Sequence, residues 1–143
     1  IADVTEGVKI ISISNPEAPV LTAAYSVNGD VHTISVSGNY MYAGVRGAEN
    51  SLHIVDISTP SSPALKANIP TYGSPEKITI SSCYAFVACG SGGLTVIDIS
   101  NPLSPAIAAN FKETNYPMGV DIVGPYIYIA DWEKGLKIID ARH

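Results

Sequence analysis

Apolar and polar positions alternate along this chain in short runs rather than in long stretches. VHTISVS (31–37), YMYAG (40–44), LHIVDIS (52–58) and ALKANIP (64–70) follow one another, separated by Gly, Asn, Ser or Pro. Alternation with period two puts successive side chains on opposite faces of a strand, and the residues between the runs are those that turns require. The same four runs then return. PEKITIS (75–81) and PMGVDIV (117–123) match the first, YAFVA (84–88) and YIYIA (126–130) the second, and LTVIDIS (94–100) the third. The fourth has siblings in VLTAAYSV (20–27) and AIAANFKE (106–113). Taken alone, AIAANFKE reads as a short helix. Its siblings share apolar residues at alternate positions, and Tyr25 and Ile69 favour strands, so the run at 106–113 is a strand.

The spacing is regular. Gly7, Ser51, Gly93 and Gly135 open the third run of successive units, in steps of 44, 42 and 42. Tyr40, Tyr84 and Tyr126 repeat the interval. About 42 residues is the length of a propeller blade and too long for a leucine-rich solenoid. The third run is apolar on both faces, as Leu94 and Val96 alternate with Ile97 and Ile99, so it is covered on both sides. The fourth run has one apolar face and opens with Pro19, Pro63 or Pro105, so it lies at the outer edge. Asp56, Asp98 and Asp140 end the third run and are read as carboxylates accepting turn N–H groups. A four-stranded sheet of this kind cannot bury both faces alone, and stacked copies bury each other. The fold expected is all-β: a β-propeller of four-stranded antiparallel blades. Blade-like repeats fall at about 1–42, 43–86, 87–128 and a partial 129–143, which makes about three and a half blades.

Within that frame, the run GLTVIDISNPLSP (93–105) preceded in each unit by text such as YIYIAD (126–131) resembles the LVIVD-repeat family of β-propellers. The resemblance covers essentially the whole chain. It implies blades around a central axis and an extracellular or cell-surface setting, and it transfers no general enzymatic activity. Ser12 stands where the other copies have Asp, so the first turn is expected to be held less well. The GH…WD pairing and the sialidase-type Asp box of other propellers are missing; Asp131-Trp132 is not that pairing.

Composition narrows the picture little further. The 143 residues are 46% apolar and 15% charged, with a net charge of −5 and eight scattered basic residues, which disfavours a nucleic-acid partner. No apolar run reaches the roughly 18–20 residues of a membrane-spanning helix, so no membrane insertion is expected, and no leader is visible at the start. The chain opens at Ile1, and its ends cut through blades. Since a single ring typically holds four to eight blades, two resolutions follow: a longer chain of which this is a piece, which is favoured, or association of copies. Either way the ends are expected to contact more protein.

Function is sought where the copies disagree. The loop VRGAENS (45–51) is two residues longer than its siblings at 89–93 and 131–135 and carries Arg46, Glu49 and Asn50. Its counterpart at 131–135 carries Trp132 and Glu133, with Trp132 a candidate contact anchor. The start of the first strand diverges too: His32 aligns with Glu76, Lys77 follows it, and Asp121 occupies the position of Ser35. With Tyr116 in a connection expected to join the same rim, these ten residues are the candidate binding set at a rim and channel mouth. No catalytic residue, cofactor or metal is assigned. Asp3 with Glu6, and Asp131 with Glu133, offer too few oxygens for a calcium loop, and His32, His53 and His143 have no ligand spacing to the cysteines. Cys83 and Cys89 flank one strand about 20 Å apart, beyond the reach of a disulfide with each other. The function expected is a non-catalytic module that binds a protein or glycan partner. The alternatives are a self-assembling element that uses its blade ends, or an enzyme with a rim or channel site.

Overall fold

Runs that are apolar on both faces must stack, and in a computed structural model describing residues 1–142 they do. The first sheet holds β1 (Ala2–Asp3), β2 (Gly7–Ser12) and β3 (Val20–Tyr25). The second holds β4 (Asp30–Ser37), β5 (Tyr40–Arg46), β6 (Ser51–Asp56) and β7 (Ala64–Pro70). The third holds β8 (Lys77–Ser81), β9 (Tyr84–Ala88), β10 (Leu94–Asp98) and β11 (Ala106–Phe111). The fourth holds β12 (Pro117–Val123), β13 (Tyr126–Asp131) and β14 (Gly135–Asp140). Each sheet is an antiparallel meander in chain order. Complete sheets open with the first run, at Asp30 and Lys77, rather than at 43 and 87 as counted from the chain start. The run at 106–113 is strand β11, paired along β10.

The sheets stack in order as an open propeller segment. β4, β8 and β12 touch across sheets and form the innermost layer, while β3, β7 and β11 lie at the exposed outer edge. Three apolar seams hold the stack. Val8 meets Val31, Met41 and Val55 between the first two sheets. Leu52 and Ile54 meet Ile78, Val87 and Ile97 between the second and third, and Leu94 meets Val120, Ile127 and Ile129 between the third and fourth. Strand alternation explains the split: in β10, Leu94 faces the fourth sheet and Ile97 the second. Each fully buried side chain of this size contributes about 1.5–3 kcal/mol. The same text loses its cover at the last sheet, where Leu136 and Ile138 are 65% and 58% exposed.

The turn carboxylates work as their position suggests. Asp56 accepts the Ser58 N–H at 2.9 Å, Asp98 the Ser100 N–H at 2.8 Å and Asp140 the Arg142 N–H at 3.1 Å. The Ser58 hydroxyl and N–H, the Ser100 N–H, and the Arg142 guanidinium respectively hold these three carboxyls below the usual carboxylate range. In the first copy the Ser12 hydroxyl accepts the Ser14 N–H only at 3.5 Å, the weaker turn expected there. The loop before the third strand needs a left-handed residue that tolerates backbone close by. A Cβ on Gly93 (φ +83°) would sit 2.4 Å from the Phe111 carbonyl oxygen.

Candidate functional site on the rim

In each stacked unit the loop after the second strand meets the connection that leads into the first. Thr71 donates its N–H to the Asn50 carbonyl at 2.9 Å, and Trp132 donates to the Tyr116 carbonyl at 2.9 Å. Gly92 lies so close to Tyr72 and Gly73 that a Cβ there would stand 2.4 Å from the Tyr72 carbonyl carbon. These pairings build one rim, as expected from the aligned loops. The ten candidate residues do not form one site on it. Nine of them divide among four places, and Asn50 contributes only its backbone carbonyl to the rim.

The first is a charged seam. His32 is a bulge residue: β4 pairs Val31 with Val45 and Thr33 with Gly44, and His32 is skipped. A bulge re-aims its side chain, and here the imidazole Nε2 lies 3.2 Å from the Arg46 guanidinium. Arg46 also pairs with Glu76 of the next sheet, whose side chain is 5% exposed against 26% for Arg46. Glu76 Oε1 and Arg46 Nε are buried and lack a partner among the described residues. Three residues chosen for their divergence thus form one ion-paired clamp across a seam.

The second place is an open, mostly apolar hollow of about 350 Å³ lined by Tyr116, Met118, Trp132 and Glu133. Asp131 builds its frame. Its carboxylate, 5% exposed, accepts N–H groups from Asn115 (2.7 Å), Tyr116 (3.3 Å), Glu133 (3.0 Å) and Lys134 (3.0 Å). Burial alone would raise its pKa, but these donors outweigh burial and hold it below the usual carboxylate range. Asn115 also donates its amide to Glu133 at 2.7 Å. Tyr116 leans on Gly90 of the 3₁₀ turn Gly90–Gly92, where a Cβ would stand 3.0 Å from the ring. On this fixed frame Trp132 is 78% exposed. Met118, the bulge residue equivalent to His32, belongs to the hollow although sequence reasoning left it out.

Glu49 falls in a third hollow, of about 330 Å³, lined by the second sheet, its 45–51 loop and Asn28 of the preceding connection. Its other polar lining residues are Asn28, Ser51, His53 and Asn68, none of them anticipated as site residues. Tyr25 reaches across from the first sheet, its hydroxyl 2.9 Å from His53 Nδ1. Burial holds His53 below the ordinary histidine range. Asn50 contributes its backbone carbonyl to the rim, as above. The fourth place is the outer face of the last sheet, where Lys77 and Asp121 line a shallow hollow with Tyr128, Ala130 and Leu136.

The weaker candidates resolve into structure. Asp3 accepts the Thr5 and Glu6 N–H groups at 3.1 Å and the Lys9 ammonium at 2.9 Å, which together hold it well below the usual carboxylate range. It does for the first sheet what Asp131 does for the fourth. Cys83 is an exposed free thiol and Cys89 a buried one. His143 lies outside the described residues.

A family model described as the LVIVD repeat matches residues 1–27, 28–71, 72–113 and 116–141. The chain belongs to the LVIVD-repeat family. The four matches coincide with the four sheets, so one LVIVD repeat is one blade. Among solved structures, the computationally designed Ika8 protein superposes with a TM-score of 0.75 at 10% identity, over 98% of this chain and 42% of its own. The computationally designed Ika4 protein superposes with a TM-score of 0.63 at 11% identity, over 81% of this chain and 69% of its own. This LVIVD chain therefore spans less than half the length of the Ika8 protein, and at such identities the likeness concerns the fold alone. No curated protein matches the chain.

Proposed function

We propose that this LVIVD propeller segment is a non-catalytic recognition module that engages a protein or glycan partner at the cell surface. The reading rests on one observation above the others. Trp132, the chain's single tryptophan, stands 78% exposed on a loop that a buried carboxylate fixes through four N–H groups. A rigid aromatic anchor loses little entropy on binding, which is how a small number of residues come to dominate an interface. Tyr116 and Met118 extend the apolar contact, and Glu133 gives it a polar edge. The cell-surface setting comes from the family resemblance. Because Trp132 is the sole indole, its fluorescence reports the rim directly. Titration with surface glycans and surface-protein extracts is expected to shift that emission. In a surface-immobilised binding assay, which needs no indole, Trp132→Ala and Tyr116→Ala should remove binding without changing molecular size. Binding that survives both substitutions would rule out the rim.

A second reading is favoured by the outer face of the last sheet. Leu136 and Ile138 are the repeat equivalents of Leu94 and Val96, which face the next sheet, yet they are exposed. Self-assembly through this face predicts oligomers in solution that Ile138→Lys dissolves.

A further inference from the structure

The repeat departs from its own length at one loop, 45–51, and a distinct hollow lies beneath that loop. Five polar side chains border it: Asn28, Glu49, Ser51, His53 and Asn68. Among the described residues, the side chains of Asn28, Glu49, Ser51 and Asn68 make no hydrogen bond. His53 makes one, to the Tyr25 hydroxyl across the seam, and that bond fixes the ring and leaves Nε2 open. The equivalent positions elsewhere are spent differently. Lys9 pairs with Asp3 and Glu6, and Thr95 is bonded by Cys89. Asn28, Glu49 and Asn68 are exposed, so the hollow beside the one lengthened loop presents polar groups that no partner among the described residues occupies.

The chemistry of the lining selects a ligand. Amides and a hydroxyl both donate and accept, an imidazole adds one group of each kind according to its tautomer, and a carboxylate accepts only. Such a set suits several hydroxyl groups at once. No Lys or Arg borders the hollow, so an anion would meet the Glu49 carboxylate unbalanced. Val45, almost fully buried, and Ala48, on the exposed loop, add a small apolar share to the lining. A volume of about 330 Å³ lies at the lower end of ligand pockets, room for one or two sugar rings and too little for a folded partner.

We propose that the hollow beside the 45–51 loop is a binding site for a neutral sugar unit. The sugar hydroxyls exchange hydrogen bonds with Asn28, Glu49, Ser51, His53 and Asn68. The inference rests on the recognition reading for its ligand class, but its site is separate from the Trp132 rim. The test is saturation-transfer NMR of the whole chain with free glucose, galactose, mannose, N-acetylglucosamine, cellobiose and maltose. Glucuronate and glucose 6-phosphate serve as charged comparisons. At least one neutral sugar is expected to bind in the roughly millimolar range and to move the His53 ring signals. Asn68→Ala and, separately, Glu49→Ala should each weaken it about tenfold, the effect of one lost hydrogen bond. Glu49→Ala truncates an exposed loop side chain with no partner to lose, so it decides the matter should Asn68→Ala fail to fold. Trp132→Ala should leave the affinity unchanged. The inference is overturned if no neutral sugar binds, if the charged sugars bind better, or if neither substitution weakens binding. Binding that Trp132→Ala abolishes would place the sugar at Trp132, which sinks the site beside the 45–51 loop while keeping the recognition reading.

Discussion

Leu52, Leu94 and Leu136 occupy one position of the repeat and differ in what covers them, so truncating each to Ala measures the stacking directly. Leu52 and Leu94 are 0% and 1% exposed, each against the next sheet, whereas Leu136 is 65% exposed. Removing three carbons from a buried leucine loses about 2.4 kcal/mol of transfer free energy. A residual cavity of ~50 Å³ adds about 1 kcal/mol. Leu52→Ala and Leu94→Ala should therefore cost about 3–4 kcal/mol. At Leu136 about a third of the transfer term is at stake and no cavity forms, so Leu136→Ala should cost less than about 1 kcal/mol. Urea unfolding followed by circular dichroism, at several protein concentrations, gives the comparison, with unchanged slopes marking a change in stability rather than in the unfolded chain. Equal losses at Leu94 and Leu136, independent of concentration, would refute the claim that mutual shielding of sheets is what holds this fold. A loss at Leu136 that appears only at high concentration would instead mark that face as a contact between copies.

Three further outcomes follow. Asp131→Ala should free the rim loops, seen as a fall in Trp132 fluorescence anisotropy with little change in far-ultraviolet dichroism. Its carboxyl is depressed in the folded state, so the stability it brings is present above its unfolded pKa of about 4 and lost as pH falls from there through its folded pKa; anisotropy should hold from pH 7 to about 4 and drop only in more acid solution. Glu76→Ala should strand the half-buried Arg46 charge and cost about 2 kcal/mol in thermal unfolding, and Arg46→Met added to it should recover most of that. A maleimide should label Cys83 within minutes and Cys89 only on unfolding, since burial both hides the Cys89 thiol and raises its pKa; equal labelling rates in the folded protein would contradict the buried third strand pair around it.

Much of the architecture was legible because it is written locally and then repeated. Alternation fixes a strand wherever it stands, so the run at 106–113 could be read from its siblings despite its helical look. Asp56, Asp98 and Asp140 accept N–H groups two residues away, and a contact that short needs no tertiary knowledge. Divergence between copies also found real neighbours: His32, Arg46 and Glu76 meet at one seam, and Tyr116, Trp132 and Glu133 in one hollow. What alignment could not supply was convergence across a seam. Asn68 and His53 read as ordinary strand residues until Tyr25 and the 45–51 loop are brought beside them. Nor could it show the bulges that turn His32 and Met118, because a skipped partner is a property of a pair of strands.

By itself, then, the chain's text determined the strands, the turns and the order in which the sheets follow, since each depends on residues close in sequence. Tertiary structure alone decided which side chains share a hollow and which leucines are dry. The physical reason is that burial belongs to a pair of surfaces. Leu94 and Leu136 carry the same message, and only the presence of a neighbouring sheet makes one of them core and leaves the other facing water.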